Sequence, residues 1–189
     1  MAELHPTLWR TCRVIASETR LRLLWLLFRF GEVSVGELAA LVSLSQPNAS
    51  IQLRALQSRG LICSCRDGRF VRYFAEANLA VEHASDLLEG LRCCHADGIS
   101  FAAIIKDSTA FTHSRRIDIV RALALENGGM PFARLSVVAQ VPPASLLRHL
   151  NKLVDRRCAK IRGETVLPGE PKSDFGRLLL HIACDGVSL

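Results

Sequence analysis

One segment of this chain occurs twice. Leu38 to Ile62 reads LAALVSLSQPNASIQLRALQSRGLI, and 97 residues further on Leu135 to Ala159 reads LSVVAQVPPASLLRHLNKLVDRRCA. Leu38, Leu53 and Leu56 recur as Leu135, Leu150 and Leu153, and Leu44 and Leu61 recur in kind as Val141 and Cys158. Each copy reads as a short helix, a tight turn, a longer helix and a β-hairpin, which is the order of a winged helix-turn-helix. The expected fold is therefore mainly α with small β-hairpin wings, a tandem winged helix-turn-helix. A first domain is expected over 1–93, a linker over 94–111 and a divergent second domain over 112–189.

The chain of 189 residues is long enough for two domains of roughly 90 residues. Its longest apolar runs, such as Leu23 to Phe28, fall far short of the ~20 residues of a membrane span. The opening MAELHPTLWR lacks the basic flank and apolar core of a secretion signal, so a cytoplasmic location is expected. In that compartment the seven cysteines are expected as free thiols. The formal charge is +6, and residues 99–189, with 13 Arg/Lys against 8 Asp/Glu, are more basic than residues 1–98, with 11 against 10. Every cation of that first half is arginine, the better residue for bidentate phosphate and guanine contacts.

In the first module a helix is expected from about Thr7 to Ala16 and a second from Glu18, capped by Ser17 and stopped by Gly31. Ser34 caps a short helix and Ser43-Leu44 turns the chain. Ser45 then caps the helix that follows, where Pro47 is tolerated in the first turn. Ala49, Leu53 and Leu56 form its inner stripe. Gln46, Pro47, Ser50, Ile51 and Arg54 lie opposite, with Asn48 near the start and Gln52 at the margin. Amide, hydroxyl, guanidinium and small apolar groups together can read base edges and thymine methyls in a major groove. Asp67-Gly68 signals a hairpin, and Arg66, Arg69 and Arg72 on it suit phosphate or minor-groove contacts.

The stretches SETRLRLLWLL, VGELAALVSLSQPNASIQLRALQSRGLI and RDGRFVRYF occur in this order between Leu8 and Phe74. With their arginine-bearing helix, Ser-Gln-x-x-x-Ser helix opening and Gly-Arg wing, they resemble an ArsR-type winged-helix repressor. The resemblance implies a transcriptional regulator binding double-stranded DNA, with recognition helix 46–58 in the major groove and wing 63–73 on the backbone. It also implies a homodimer paired through the first and last helices of each module. Gln46, Ser50 and Gln52 then stand at recognition-helix contact positions, Gln52 where the family usually carries histidine. Two modules in one chain leave open a monomeric pseudo-dimer.

In the second half THSRRIDIVRALAL repeats the second helix, with Arg115 standing for Arg20. The helix opening at Pro142-Pro143 presents Ala144, Leu147, Arg148 and Asn151, followed by Lys152. Arg148 and Lys152 are its candidate DNA contacts. It has lost the serine cap, Leu147 replaces Ser50, and its wing has no aromatic anchor. This half is read as binding phosphate non-specifically or as a pairing domain. The alternative for the whole chain is a tandem winged-helix scaffold that binds protein without specific DNA readout.

The resemblance also implies sensing of metals, arsenicals or thiol oxidation, with no cofactor required. The span ELAALVSL, which would hold the family's thiolate site, contains no cysteine. Glu82, His83, Asp86, Glu89 and His95 only loosely echo its other site and read as a solvated polar face. Cys93 and Cys94 are the sharper candidate for a thiophilic metal or an arsenical, with Cys12 either a third ligand or a small core residue. Cys63 and Cys65 share one side of a strand and are expected to pack under the wing. No phosphate loop, paired catalytic carboxylates or nucleophile motif points to an enzyme, and His113 and His149 read as lone histidines in basic helices with surface or phosphate roles.

Overall fold

The computed structural model describes residues 7–68, 70–126 and 128–185. The chain forms two compact units. One is built on Val14–Ile105, and the other on Lys106–Leu189 together with Leu8–Arg13 of the first helix, α1 (Leu8–Ile15).

In the first unit, α2 (Glu18–Phe30) buries Leu21, Leu23, Leu24 and Leu27 and follows Ser17, which stands at the N-cap without a side-chain cap bond. Gly31 ends it at φ +74°, a conformation only glycine adopts cheaply, with its N–H donating to the Leu27 carbonyl at 3.0 Å. Strand β1 (Val33–Ser34) leads into α3 (Val35–Leu41), where Ser34 and Glu37 form a reciprocal capping box. Those Ser34 hydrogen bonds hold the Glu37 carboxyl below the ordinary carboxylate range. Helix α4 (Gln46–Gln57) is followed by a hairpin of β2 (Cys63–Asp67) and β3 (Phe70–Phe74). The strands are antiparallel in the order β1-β3-β2, with Val33 opposite Tyr73 and Asp67 opposite Phe70. Leu38, Leu53, Leu56, Leu61 and Tyr73 close one core, as the spacing of the repeat requires. Helix α5 (Ala84–Ala96) adds Leu87, Leu88 and Leu91.

Residues 94–111, expected as a linker, hold the end of α5 and a further helix, α6 (Phe101–Ser108). Ile104, Ala110 and Phe111 are buried, so this stretch folds as part of the cores it was expected to join. Its apolar residues recur at helical spacing over barely two turns, too short a run to stand out from the sequence.

The second unit runs through α7 (Ser114–Ala124), β4 (Met130–Pro131), α8 (Phe132–Val138) and α9 (Pro143–Asp155). It continues with β5 (Ala159–Arg162), β6 (Thr165–Pro168) and α10 (Asp174–Cys184). Its sheet order is β4-β6-β5, with Met130 opposite Val166. From α7 to β6 the element order is that of α2 to β3, and the left-handed residues Gln140 (φ 52°) and Arg157 (φ 61°) stand where Ser43 (φ 56°) and Gly60 (φ 69°) stand in the first unit.

The buried set of α7, Ile117, Ile119, Val120 and Leu123, has the spacing of Leu21, Leu23, Leu24 and Leu27 in α2. That alignment places Arg116, and not Arg115 as expected, in the position of Arg20. The bonds agree: Arg20 Nε donates to the Val14 carbonyl and Arg116 Nε to the Ala110 carbonyl, both at 2.6 Å and both six residues back.

Candidate nucleic-acid interface

Helix α4 is set by local rules. Ser43 turns the chain, the Leu44 N–H returns to the Ala39 carbonyl at 2.9 Å, and Ser45 Oγ accepts from the Asn48 N–H at 3.4 Å. Ala49, Leu53 and Leu56 are buried on one stripe, and burial of each leucine contributes about 2–3 kcal/mol. Anchoring that stripe fixes what the helix shows on its other side. Gln46, Pro47, Asn48, Ile51 and Arg54 are exposed, Ile51 to 58%, and Ser50 is half-exposed. An isoleucine this open on a helix with a full inner stripe has no packing role, and it suits contact with a methyl or an apolar base edge.

Two of these groups are positioned from behind. A Cβ added at Gly36 in α3 would lie 2.8 Å from Gln46 Nε2, so Gln46 rests over a bare stretch of backbone. Gln52 is half-buried, and its Oε1 accepts from Arg20 Nη1 at 2.8 Å. With one lone pair of its oxygen engaged by Arg20, Gln52 keeps both NH₂ donors for a partner outside the protein. Burial lowers the Arg20 pKa, and the guanidinium stays charged throughout the physiological range. The sequence marks Arg20 as part of its second helix; what it could not supply was the bond to Gln52, 32 residues away.

In the wing, Gly68 turns the hairpin at φ +58° and Arg66 is exposed beside it. Arg69 lies outside the described residues. Arg72 is half-buried, its Nε donating to Asp67 Oδ2 at 3.0 Å and lying 3.8 Å from Glu32 Oε1. Arg72 thus braces the hairpin, and among the described residues Arg66 is the wing cation held outward. Cys65 does not pack beneath the wing as expected: it is exposed, with its Sγ 3.3 Å from Glu32 Oε1. Cys63 is half-exposed, its Sγ reaching the Glu76 carbonyl at 3.5 Å. The hairpin is thin, and its inward side is filled at Tyr73.

On α9, Leu146, Leu150 and Leu153 are buried while Arg148 is exposed and Lys152 half-exposed. Leu147 is 53% exposed. His149 is neither lone nor on the surface, because it is buried with its ring centre 4.7 Å from that of His113.

The seven cysteines are free thiols. Cys93 is exposed and Cys94 buried, as adjacent positions on one helix dictate. Cys12 is wholly buried, and desolvation pushes its thiol far above the ordinary range, away from the thiolate a soft metal needs. His95 packs edge-on against Trp25, ring centres 5.3 Å apart. Among the described residues no three His, Cys, Asp or Glu side chains gather closely enough to hold a metal ion. Nor is any helix there long and apolar enough to cross a membrane.

The family described as "Bacterial regulatory protein, arsR family" matches residues 17–64, from the N-cap of α2 into β2. The arsenical resistance operon repressor of Escherichia coli (strain K12) is 32% identical over 81 residues, 43% of this chain and 69% of that protein. The probable mercury resistance operon repressor of Streptomyces lividans is 35% identical over 94 residues, 49% of this chain and 71% of that protein. Among solved structures, reduced HlyU from Vibrio cholerae N16961 covers 48% of this chain and 87% of its own, at 25% identity and a TM-score of 0.40. At the identity and coverage of the two operon repressors, the chain belongs to the arsR family of bacterial regulatory proteins and is a DNA-binding transcriptional regulator.

Proposed function

We propose that the first unit represses transcription by placing α4 in the major groove of double-stranded DNA, with the wing on the flanking backbone. The observation that carries this reading is the outer face of α4, where Gln46, Ile51 and Arg54 are exposed over a fully buried inner stripe. Base readout falls to Gln46, Ser50, Ile51, Arg54 and the NH₂ of Gln52. Ser45 and Asn48 serve the start of the helix, and Arg66 supplies a phosphate contact. Both relatives named above are repressors, which supports that sign of regulation. The reading requires no resident cofactor.

The second unit is proposed as a divergent winged-helix repeat, supported by its matching element order, sheet order and left-handed turn positions. In it Arg148 and Lys152 meet DNA backbone, while Leu147 in place of Ser50 argues against specific readout. Family habit supports a homodimer reading two half-sites, and the alternative is one chain acting as a pseudo-dimer.

The test is fluorescence anisotropy with a selected operator duplex and a random duplex across a salt series, with light scattering for the bound mass. Arg66→Ala is expected to weaken both duplexes alike and to reduce the salt slope by about 1. Arg54→Ala and Ile51→Ala are expected to weaken the operator selectively. Equal losses on both duplexes for all three variants would remove the division between reading and gripping. No binding at low salt would favour a protein-interaction scaffold, a reading to which exposed Leu147 and Val137, the latter 76% exposed, already lend themselves.

A further inference from the structure

One carboxylate of α7 stands between two arginines and bonds to neither. Arg115, Asp118 and Arg121 follow one another at intervals of three residues, which sets them along one face of the helix, and Leu125 continues that face just past its end. A cavity of about 490 Å³ opens beside them, lined from α7 by Arg115, Asp118, Arg121 and Leu125 and from the end of α8 by Val138. Leu125 is 59% exposed and Val138 40%, so the cavity has an apolar end that the core leaves uncovered.

The i,i+3 spacing of Asp118 and Arg121 ordinarily lets such a pair close. Asp174 pairs with Arg177 in this way, and Glu89 Oε2 lies 3.6 Å from Arg92 Nε. Asp118 differs because other helices hold its arginines. Arg121 Nε donates to the Ala183 carbonyl of α10 at 2.7 Å, and Arg115 Nη1 donates to Ser145 Oγ of α9 at 3.3 Å. Each guanidinium keeps further N–H donors. Among the described residues no hydrogen bond or close ion pair reaches the Asp118 carboxylate, which is half-buried. Burial pushes that carboxyl up, against the pull of Arg121, Arg115 and His113.

This arrangement selects a ligand by its charges. An anion alone would meet the like charge of Asp118, and a cation alone would meet two guanidiniums. A molecule that carries an ammonium and a carboxylate close together satisfies both, because groups three residues apart on a helix are only about 5–6 Å from one another at Cβ. The two charges of an α-amino acid share one carbon. A cavity of this size lies within the range of small-ligand sites, and arginines already tethered lose little freedom on binding.

We propose that this cavity binds an α-amino acid with an apolar side chain. Its ammonium donates to Asp118, its carboxylate accepts from Arg115 and Arg121, and its side chain rests on Leu125 and Val138. The proposal draws on none of the residues given to DNA, so it stands or falls apart from that reading.

The experiment is calorimetric titration of the full chain with L-leucine, glycine, isocaproate and isoamylamine. The last two are leucine without its ammonium and without its carboxylate. Saturable binding of leucine is expected, with each of the other three at least about tenfold weaker. The methyl resonances of Leu125 and Val138 are expected to shift along the same binding curve, which locates the site. Asp118→Asn keeps the shape of the side chain and is expected to weaken leucine about tenfold, to leave isocaproate unchanged or tighter, and not to lower the Tm of the unliganded chain. Absence of saturable leucine binding, or leucine affinity unchanged in Asp118→Asn, overturns the proposal. Isocaproate binding as tightly as leucine to the parent chain also overturns it, because the site then takes a simple anion. So does movement of the two methyl resonances with a random duplex and not with leucine, because the arginines then face the DNA backbone.

Discussion

Replacing Gln52 by alanine removes the acceptor that lies 2.8 Å from Arg20 Nη1. A hydrogen bond to a charged donor contributes about 1.5–3 kcal/mol when buried. Arg20 is half-exposed and keeps its bond to the Val14 carbonyl, so the expected loss is nearer about 1 kcal/mol, readable by urea unfolding. Gln52→Glu behaves differently. Its carboxylate keeps the acceptor and adds a charge pair with Arg20, so stability at neutral pH is expected at or slightly above that of the parent. The same change removes the NH₂ donors and turns a negative charge toward the phosphates, so operator affinity is expected to drop at least about tenfold in anisotropy. Gln52→Ala is therefore expected to lower stability where Gln52→Glu does not. If Gln52→Glu binds operator like the parent, the outer face of α4 is not the reading surface. If Gln52→Ala costs no stability, Arg20 does not hold Gln52 in solution.

Other perturbations follow from the backbone and from a buried ring. Gly60→Ala puts a Cβ 2.8 Å from Val81 Cβ and 3.0 Å from Ala84 Cβ at a residue with φ +69°, and an unfolding free energy lower by about 2–3 kcal/mol is expected. Arg157→Gly relieves a left-handed arginine at φ 61° and is expected to raise stability by about 0.5–1 kcal/mol in the same assay. His149 is held down to about 4 by burial and its positive neighbours. Between about pH 6.5 and about pH 4 the unfolded chain binds a proton there that the native chain refuses, so stability falls on acidification with a slope of at most about 1.4 kcal/mol per pH unit from this group. His149→Gln is expected to flatten that part of the stability–pH curve, and an unchanged curve would place the ring in water.

The apolar periodicity and the caps carried most of the architecture into the sequence. Leu38, Leu53 and Leu56 are buried where their spacing puts them, and Ser34 and Ser45 cap the helices they precede. Long-range pairings were invisible to it. Two adjacent arginines, Arg115 and Arg116, are indistinguishable by composition, and only the buried set of α7 shows which one turns back to a carbonyl. Arg72 looks like a phosphate contact until Glu32, forty residues earlier, is folded beside it. His113 and His149 look solitary because no local pattern announces that two helices will bring their rings together.

Gly36 gives this chain a way to change what it reads without altering the reader. The atom that a side chain at position 36 would meet is the tip of a flexible glutamine, which can swing aside, so Gly36→Ala is expected to fold. What moves is Gln46, the first outward group of α4. Under the proposed reading, operator preference can then drift through a residue that never meets a base, hidden behind the helix whose vocabulary it edits.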